Sequence, residues 1–246
     1  MVQTSLAAWL KKPLAKAAAA TTKEISKPEP PLKDQPLEHG PEEHDKEEQG
    51  ENPKGMGENG TANTGTTSAI TRNIANLPPN ASLAFITAET LPAFRRMTTL
   101  LLPVPYPDKF YNEILTNDIA ASISLVALWD DRVVAGIRCR LISHPAGMHP
   151  APSLYISTLT TLAPFRNHGL ARALLRCITT VAIREYEIGT VTAHNWEGHE
   201  EAGQWYEKMG FRRVRFEEGY YRKLKPSGAW LFERKVGPGD LLGEGV

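Results

Sequence analysis

The run Leu154-Tyr155-Ile156-Ser157-Thr158-Leu159-Thr160-Thr161-Leu162-Ala163-Pro164-Phe165-Arg166-Asn167-His168-Gly169-Leu170-Ala171 holds a strand, a turn and the start of a helix. Its first part is apolar and β-branched, which suits a buried strand. Arg166-x-x-Gly169-x-Ala171 then forms a turn of small side chains, and an amphipathic pattern follows at once. Backbone N–H groups at a helix start lack intrahelical partners, and the helix dipole favours negative charge there. The turn therefore predicts a site for a phosphate-bearing ligand. Its place between this strand and this helix gives the signal its weight.

The periods on either side of that run read as alternating elements. Ser82 to Thr87 predicts a short strand, Thr90 to Leu101 a helix with Leu91, Phe94, Met97 and Leu100 at helical spacing, and Asp108 to Leu115 a second helix. Ser122 to Trp129 and Val133 to Ile142 flank Asp130-Asp131-Arg132 as the arms of a hairpin. Gly169 to Tyr186 reads as a long helix, Gly189 to Ala193 as a strand, and Glu200 to Met209 as a helix stopped by Gly210. Phe211 to Phe216 and Ala229 to Lys235 close the pattern as an antiparallel pair. The order β-α-α-β-β-β-α-β-α-β-β predicts an α+β fold with a mixed central sheet flanked by helices.

Composition sets the limits around this domain. The 246 residues carry 28 Lys plus Arg against 28 Asp plus Glu, so no whole-chain field argues for nucleic acid or a membrane surface. No apolar run approaches the roughly 18 residues that a membrane span needs. The only cysteines, Cys139 and Cys177, sit inside apolar patterns and are expected as buried thiols rather than a disulfide or metal site. Residues 82–236 form the expected single domain, and 237–246 read as a loose tail. Residues 21–80 are rich in Pro, Gly, Glu, Lys, Thr and Asn with few large apolar side chains, so a disordered linker is expected, acidic from Asp34 to Glu51. The first 20 residues resemble a transit peptide in their Ala and Lys content, but they contain no Arg. The expected location is the cytoplasm or nucleus.

The order of elements, the Arg-x-x-Gly-x-Ala turn and the segment Ala202-Gly203-Gln204-Trp205-Tyr206-Glu207-Lys208-Met209-Gly210-Phe211 resemble the GCN5-related N-acetyltransferase (GNAT) superfamily. More narrowly, four segments are similar to the catalytic subunit of N-terminal acetyltransferase E. They are Leu102-Pro103-Val104-Pro105-Tyr106-Pro107-Asp108-Lys109-Phe110-Tyr111, residues 154–171, residues 194–211, and Tyr220-Tyr221-Arg222-Lys223-Leu224-Lys225-Pro226. The resemblance implies acetyl transfer from acetyl-CoA to the α-amine of polypeptide N-termini, Met-initiated ones preferred, with no metal. It leaves room for an auxiliary subunit at the ribosome. Other readings stay open: acetylation of lysine side chains or small amines, or a mainly non-catalytic subunit of such a complex.

Acetyl transfer from a thioester needs a neutral amine, a donor for the developing oxyanion and a proton for the leaving thiolate. An α-amine has a pKa of about 7.7–8.0, so a base needs to give only modest help. The resemblance implies Tyr155, on the central strand, and His194, at the end of the next, as the two general bases. It gives cofactor contacts to Leu159, Thr160, Thr161, Leu162, Arg166, Asn167, His168, Gly169, Leu170, Ala171, His199 and Tyr206. Tyr206 in particular falls where such enzymes keep a donor near the sulfur. The peptide site is expected between Leu102, Pro103, Val104 and Tyr106 on one side and Tyr220, Tyr221 and Leu224 on the other, with Ser157 beneath. Leu102 replaces the family's usual aromatic, Asn167-His168 lacks a second basic residue, and His199 replaces a common Asn.

One further motif lies at the N-terminus. Gln3-x-x-Leu6-x-x-Trp9-Leu10 resembles a sliding-clamp-binding peptide, with Leu6 and Trp9 as an apolar plug on one helical turn. An ordinary amphipathic leader explains the same residues.

Overall fold

The computed structural model describes residues 77–143 and 151–242. Strand β1 (Ala81–Phe85) is followed by helices α1 (Leu91–Leu101), α2 (Asp108–Thr116) and α3 (Asp118–Ser122). Strands β2 (Ser124–Trp129), β3 (Arg132–Ile142) and β4 (Ser153–Thr161) come next, then a single 3-10 turn, Ala163–Phe165. Helix α4 (Leu170–Tyr186), β5 (Thr190–Trp196), α5 (Glu200–Lys208), β6 (Arg212–Glu217), β7 (Ala229–Lys235) and α6 (Pro238–Leu242) complete the elements of the described residues. The sheet has seven strands in the order β1-β2-β3-β4-β5-β7-β6. Only β4 and β5 run parallel, because α4 crosses over between them. The mixed α+β sheet is the one the sequence pattern predicts.

Local chemistry explains the turns. Asp130 and Asp131, both at positive φ, make a two-residue hairpin loop between the paired residues Trp129 and Arg132. Leu91, Phe94 and Met97 give α1 one buried face. Gly136 on β3 lets that face seat, since a Cβ there would stand 2.7 Å from the Phe94 ring. Phe94 is fully buried, a burial that contributes about 2–3 kcal/mol. Cys139 and Cys177 are buried free thiols, and burial pushes the Cys177 thiol up to about 12.

Three details differ from the sequence reading. Helix α3 occupies Asp118–Ser122, where no helix is expected and Ser122 is read as strand; the Asn117 side chain accepts the Ala120 N–H at 2.9 Å and starts it, and the strand begins at Ser124. Order begins ahead of Ser82, since Leu77 packs on the core and the Asn80 carbonyl accepts the Asp130 N–H. The expected loose tail from 237 onward instead holds α6. Its Asp240 carboxylate takes Arg234 Nη1 at 2.7 Å and the Gly237 N–H at 3.0 Å, the ion pair being almost fully buried. The Gln3-Leu6-Trp9 motif and the linker up to residue 76 lie outside the described residues. No helix among the described residues is long and apolar enough to cross a membrane.

Candidate active site

Parallel pairing of β4 with β5 stops at Ile156 and Ala193, although β4 runs on to Thr161 and β5 to Trp196. The two strands part beyond that point. From Ser157 onward β4 therefore has backbone groups on its β5 side with no strand to pair them. Leu159, Thr160 and Thr161 lie on this open stretch, and Leu162 leads off it into the turn.

The turn has the backbone that an anion site needs. Asn167 and Gly169 both lie in the left-handed region, at φ 63° and 77°. Only glycine adopts that conformation freely, and Asn tolerates it better than most residues. Arg166, Asn167, His168 and Gly169 are exposed, whereas Leu170 is buried and anchors α4. The first bond of the helix is Ala173 N–H to the Gly169 carbonyl, so the N–H groups of Leu170, Ala171 and Arg172 have no helical acceptor. Arg166 Nε reaches back to the Thr161 carbonyl at 3.4 Å. The His168 ring meets the edge of Trp129, with Nδ1 2.8 Å from the Arg166 carbonyl.

At the other end of β4, four residues converge. Tyr155 and Thr192 are opposite each other in the parallel pair, so Tyr155 and His194 share one sheet face. The Tyr155 hydroxyl lies 3.1 Å from His194 Nδ1 and 3.1 Å from the Tyr220 hydroxyl. The Tyr220 ring stacks on the imidazole at 4.1 Å, nearly parallel. On its far side, His194 Nε2 stands 3.2 Å from Glu217 Oε1, close but not well aligned as a hydrogen bond. Above Tyr155, the Arg140 guanidinium lies 5.3 Å from the ring centroid. Tyr106, from the loop between α1 and α2, donates to the Ser157 carbonyl at 3.0 Å and so ties that loop to β4.

The electrostatics follow from burial. The His194 side chain is 6 % exposed, and burial lowers its pKa below the usual 6.5. Glu217 pulls it partly back up, while Arg215 lowers it further. Burial, together with the neighbouring Tyr220 and Tyr106, raises the Tyr155 phenol well above 10. The Tyr220, Tyr221 and Tyr206 phenols are raised as well, chiefly by burial, and Tyr106 is pushed up to about 12. The Tyr221 ring packs nearly perpendicular to that of Tyr220, with centroids 4.8 Å apart. At neutral pH the cluster thus holds an unprotonated imidazole amid neutral phenols.

Most of the expected residues come together here, with two exceptions. His199 is exposed at the start of α5, where only its backbone is engaged, through its carbonyl to Asn195 Nδ2 and Gly203 N–H. Leu102, Pro103 and Val104 lie on the α1–α2 loop, Pro103 exposed and the other two half-buried. Tyr220 and Tyr221 sit in the turn between β6 and β7 rather than on a strand, which frees both rings to face inward. Leu224 closes that turn by donating to the Tyr221 carbonyl. Tyr206 is buried between Phe211 and Phe232. Arg140 and Glu217 were absent from the sequence reading. In the sequence Arg140 is one of several arginines in a strand pattern, and Glu217 falls just past the strand read as Phe211 to Phe216, in the charged stretch Glu217-Glu218-Gly219.

Comparison with known proteins bears on the fold and the family. The profile of the Acetyltransferase (GNAT) family matches residues 91–211. N-alpha-acetyltransferase 50 of Danio rerio is 25% identical over 154 residues, covering 63% of this chain and 88% of the relative. The probable N-acetyltransferase san of Drosophila melanogaster is 27% identical over 154 residues, covering 63% and 80%. Among solved structures, Arabidopsis thaliana Naa50, in complex with the bisubstrate analogue CoA-Ac-MVNAL, superposes with a TM-score of 0.56 at 27% identity. That match covers 64% of this chain and 99% of the plant protein. A parting between β4 and β5, a left-handed Gly at the head of α4 and these sequence matches together make the chain similar to the GNAT family of acetyltransferases.

Proposed function

We propose that the protein transfers the acetyl group of acetyl-CoA to the α-amine of polypeptide N-termini, Met-initiated ones preferred. The observation that carries this reading is the Tyr155–His194 pair at the parting of β4 and β5, under two tyrosine-bearing loops. The Danio rerio relative named N-alpha-acetyltransferase 50 and the analogue CoA-Ac-MVNAL, which joins CoA to a Met-initiated peptide in the Arabidopsis thaliana structure, support it.

In this reading Arg166 and the N–H groups from Asn167 to Ala171 hold the pyrophosphate, and the open edge of β4 from Leu159 to Thr161 holds the pantetheine arm and the thioester carbonyl. The amine enters between the Tyr106 loop and the Tyr220-Tyr221 turn. A phenol whose pKa is raised this far does not act as the final base. Tyr155 therefore relays: it accepts a proton from the amine, or from an intervening water, and donates its own to His194 Nδ1. His194, depressed below 6.5, is free to accept that proton at neutral pH. The freed amine attacks the thioester directly, the proton its nitrogen sheds as the amide forms goes to the departing thiolate, and Tyr206, kept protonated by its raised pKa, is the hydrogen-bond donor beside that sulfur. Neither cysteine is available as an acyl carrier, since both are buried with raised pKa values. An auxiliary subunit is an expectation of the family resemblance alone.

The test offers the full-length protein acetyl-CoA with peptides beginning Met-Leu, Met-Lys or Ser-Glu, and an acetyl-blocked Met peptide with an internal lysine. The expected result is fastest turnover on Met-Leu and none on the blocked peptide. Acetylation of the blocked peptide alone would overturn the N-terminal assignment in favour of a lysine or small-amine acetyltransferase.

A further inference from the structure

β6 is the edge strand of the sheet, separated from β5 by β7. Its register slips by one residue between Arg213 and Arg215, with Val214 as the extra, exposed residue. Up to the slip, Arg213 opposes Phe232, which in turn opposes Ala193, and Arg213 binds Glu200 and Glu207 on the α5 side. After the slip, Arg215 opposes Leu231, which opposes His194. Residues directly opposite in an antiparallel pair share a face, so the bulge moves Arg215 and Glu217 onto the face that carries His194 and Tyr155. Without it, Val214 and Phe216 would occupy that face. Glu217 itself opposes Ala229, whose methyl leaves the carboxylate free to lean across β7 to the imidazole.

We propose that Glu217 is a positioning residue of the acetyl-transfer site, holding His194 in the tautomer that leaves Nδ1 as the proton acceptor for Tyr155. This rests on the acetyltransferase reading above and deepens it. An ionised carboxylate only accepts, so the His194 nitrogen facing it, Nε2, carries the hydrogen. A neutral imidazole has one N–H, so Nδ1 then presents its lone pair to the Tyr155 hydroxyl. When Nδ1 takes the proton, the resulting imidazolium lies against a carboxylate that offsets its charge. Arg215 binds the same Oε1, which keeps Glu217 ionised and limits how strongly it attracts the proton. The net effect on Glu217 is a lowered pKa: burial works to raise it, and the hydrogen bonds from Arg215 together with the nearby His194 ring outweigh that. Among the described residues, the polar groups facing the imidazole are Tyr155 from β4, Tyr220 from the β6–β7 turn, and Glu217 and Arg215 from β6.

The pH dependence follows in sign. Turnover rises as His194 loses its proton. Removing the carboxylate withdraws an influence that raises the His194 pKa, so the acidic limb of the rate profile moves to lower pH while the plateau falls. Removing Arg215 withdraws one that lowers it, so the limb moves to higher pH.

The test uses the full-length protein with acetyl-CoA and a Met-Leu peptide, and variants Glu217→Gln, Glu217→Asp, Arg215→Ala and His194→Ala. Glu217→Gln is expected to lower kcat about 10-fold, with KM for acetyl-CoA held within about 2-fold and the limb shifted down; Glu217→Asp restores part of kcat. Arg215→Ala shifts the limb up. In parallel, nitrogen NMR of the His194 ring should show hydrogen on Nε2 in the wild type and a mixture of tautomers in Glu217→Gln. A wild-type rate and limb in Glu217→Gln, with His194→Ala inactive, would sink the proposal and leave the acetyltransferase reading standing. If no peptide is acetylated by the wild type, that reading fails, and the NMR signal still decides whether Glu217 sets the tautomer.

Discussion

The two ends of β4 are built in different ways. At the turn end, residues 162–171 are contiguous in the chain, and the working parts are backbone groups shaped by two left-handed residues, Asn167 and Gly169. At the amine end, Tyr155, His194, Tyr220 and Glu217 come from four separate segments, and the working parts are side chains set by strand register. Side-chain identity therefore counts for little at the first end and for nearly everything at the second. The exposed Asn167 and His168, where a second basic residue is common in the family, fit that picture, because the N–H groups beside them do not depend on their side chains.

The largest effects should come from the amine end, with no loss at the turn. Tyr155→Phe and His194→Ala are each expected to lower kcat about 10²- to 10³-fold while CoA binding, measured by calorimetry, stays near the wild-type value. A fall in CoA affinity matching the fall in kcat would show that the two ends are not separable. The reverse experiment acts on the turn. A β-branched side chain at φ 77° is strained by about 1–2 kcal/mol, so Gly169→Val should raise KM for acetyl-CoA about 10-fold with kcat at saturation little changed. Unchanged CoA affinity there would mean that the phosphates bind elsewhere.

The same contrast explains what the sequence reveals. The Arg-x-x-Gly-x-Ala turn is readable because its parts are neighbours, and the same holds for the Asp130-Asp131 hairpin and the amphipathic face of α1. Tyr155 and His194 were legible only through resemblance to a family, since nothing local in either residue separates it from a core side chain. Glu217 was not legible at all. Its position depends on a one-residue slip in β6 that no composition or period announces, and its surroundings, Arg215-Phe216-Glu217-Glu218-Gly219, resemble an ordinary polar turn. Helix α6 escaped for a similar reason. Gly237-Pro238-Gly239 signals a break, and the buried Arg234–Asp240 pair, with the Thr180 hydroxyl donating to the Asp240 carbonyl, makes the following residues a docked helix.

A smaller effect sharpens the comparison at the rim of the amine end. Leu102 lies just past α1 in an extended conformation, its N–H bound to the Thr98 carbonyl, so its backbone is fixed and only the side chain varies. If that side chain borders the pocket for the substrate's first residue, Leu102→Phe narrows the pocket without moving Tyr155 or His194. A change of this size in an apolar pocket alters discrimination by about 1 kcal/mol, the low end of what one methylene gives. The ratio of kcat/KM for Met-Leu over Ala-Leu peptides should then shift about 5-fold, with CoA affinity untouched. An unchanged ratio would place the specificity wall on the Tyr220-Tyr221 turn alone. The amine end would then be selective through the same turn that stacks on the His194 imidazole, and, on the proposed mechanism, substrate choice could not be altered without disturbing the proton relay.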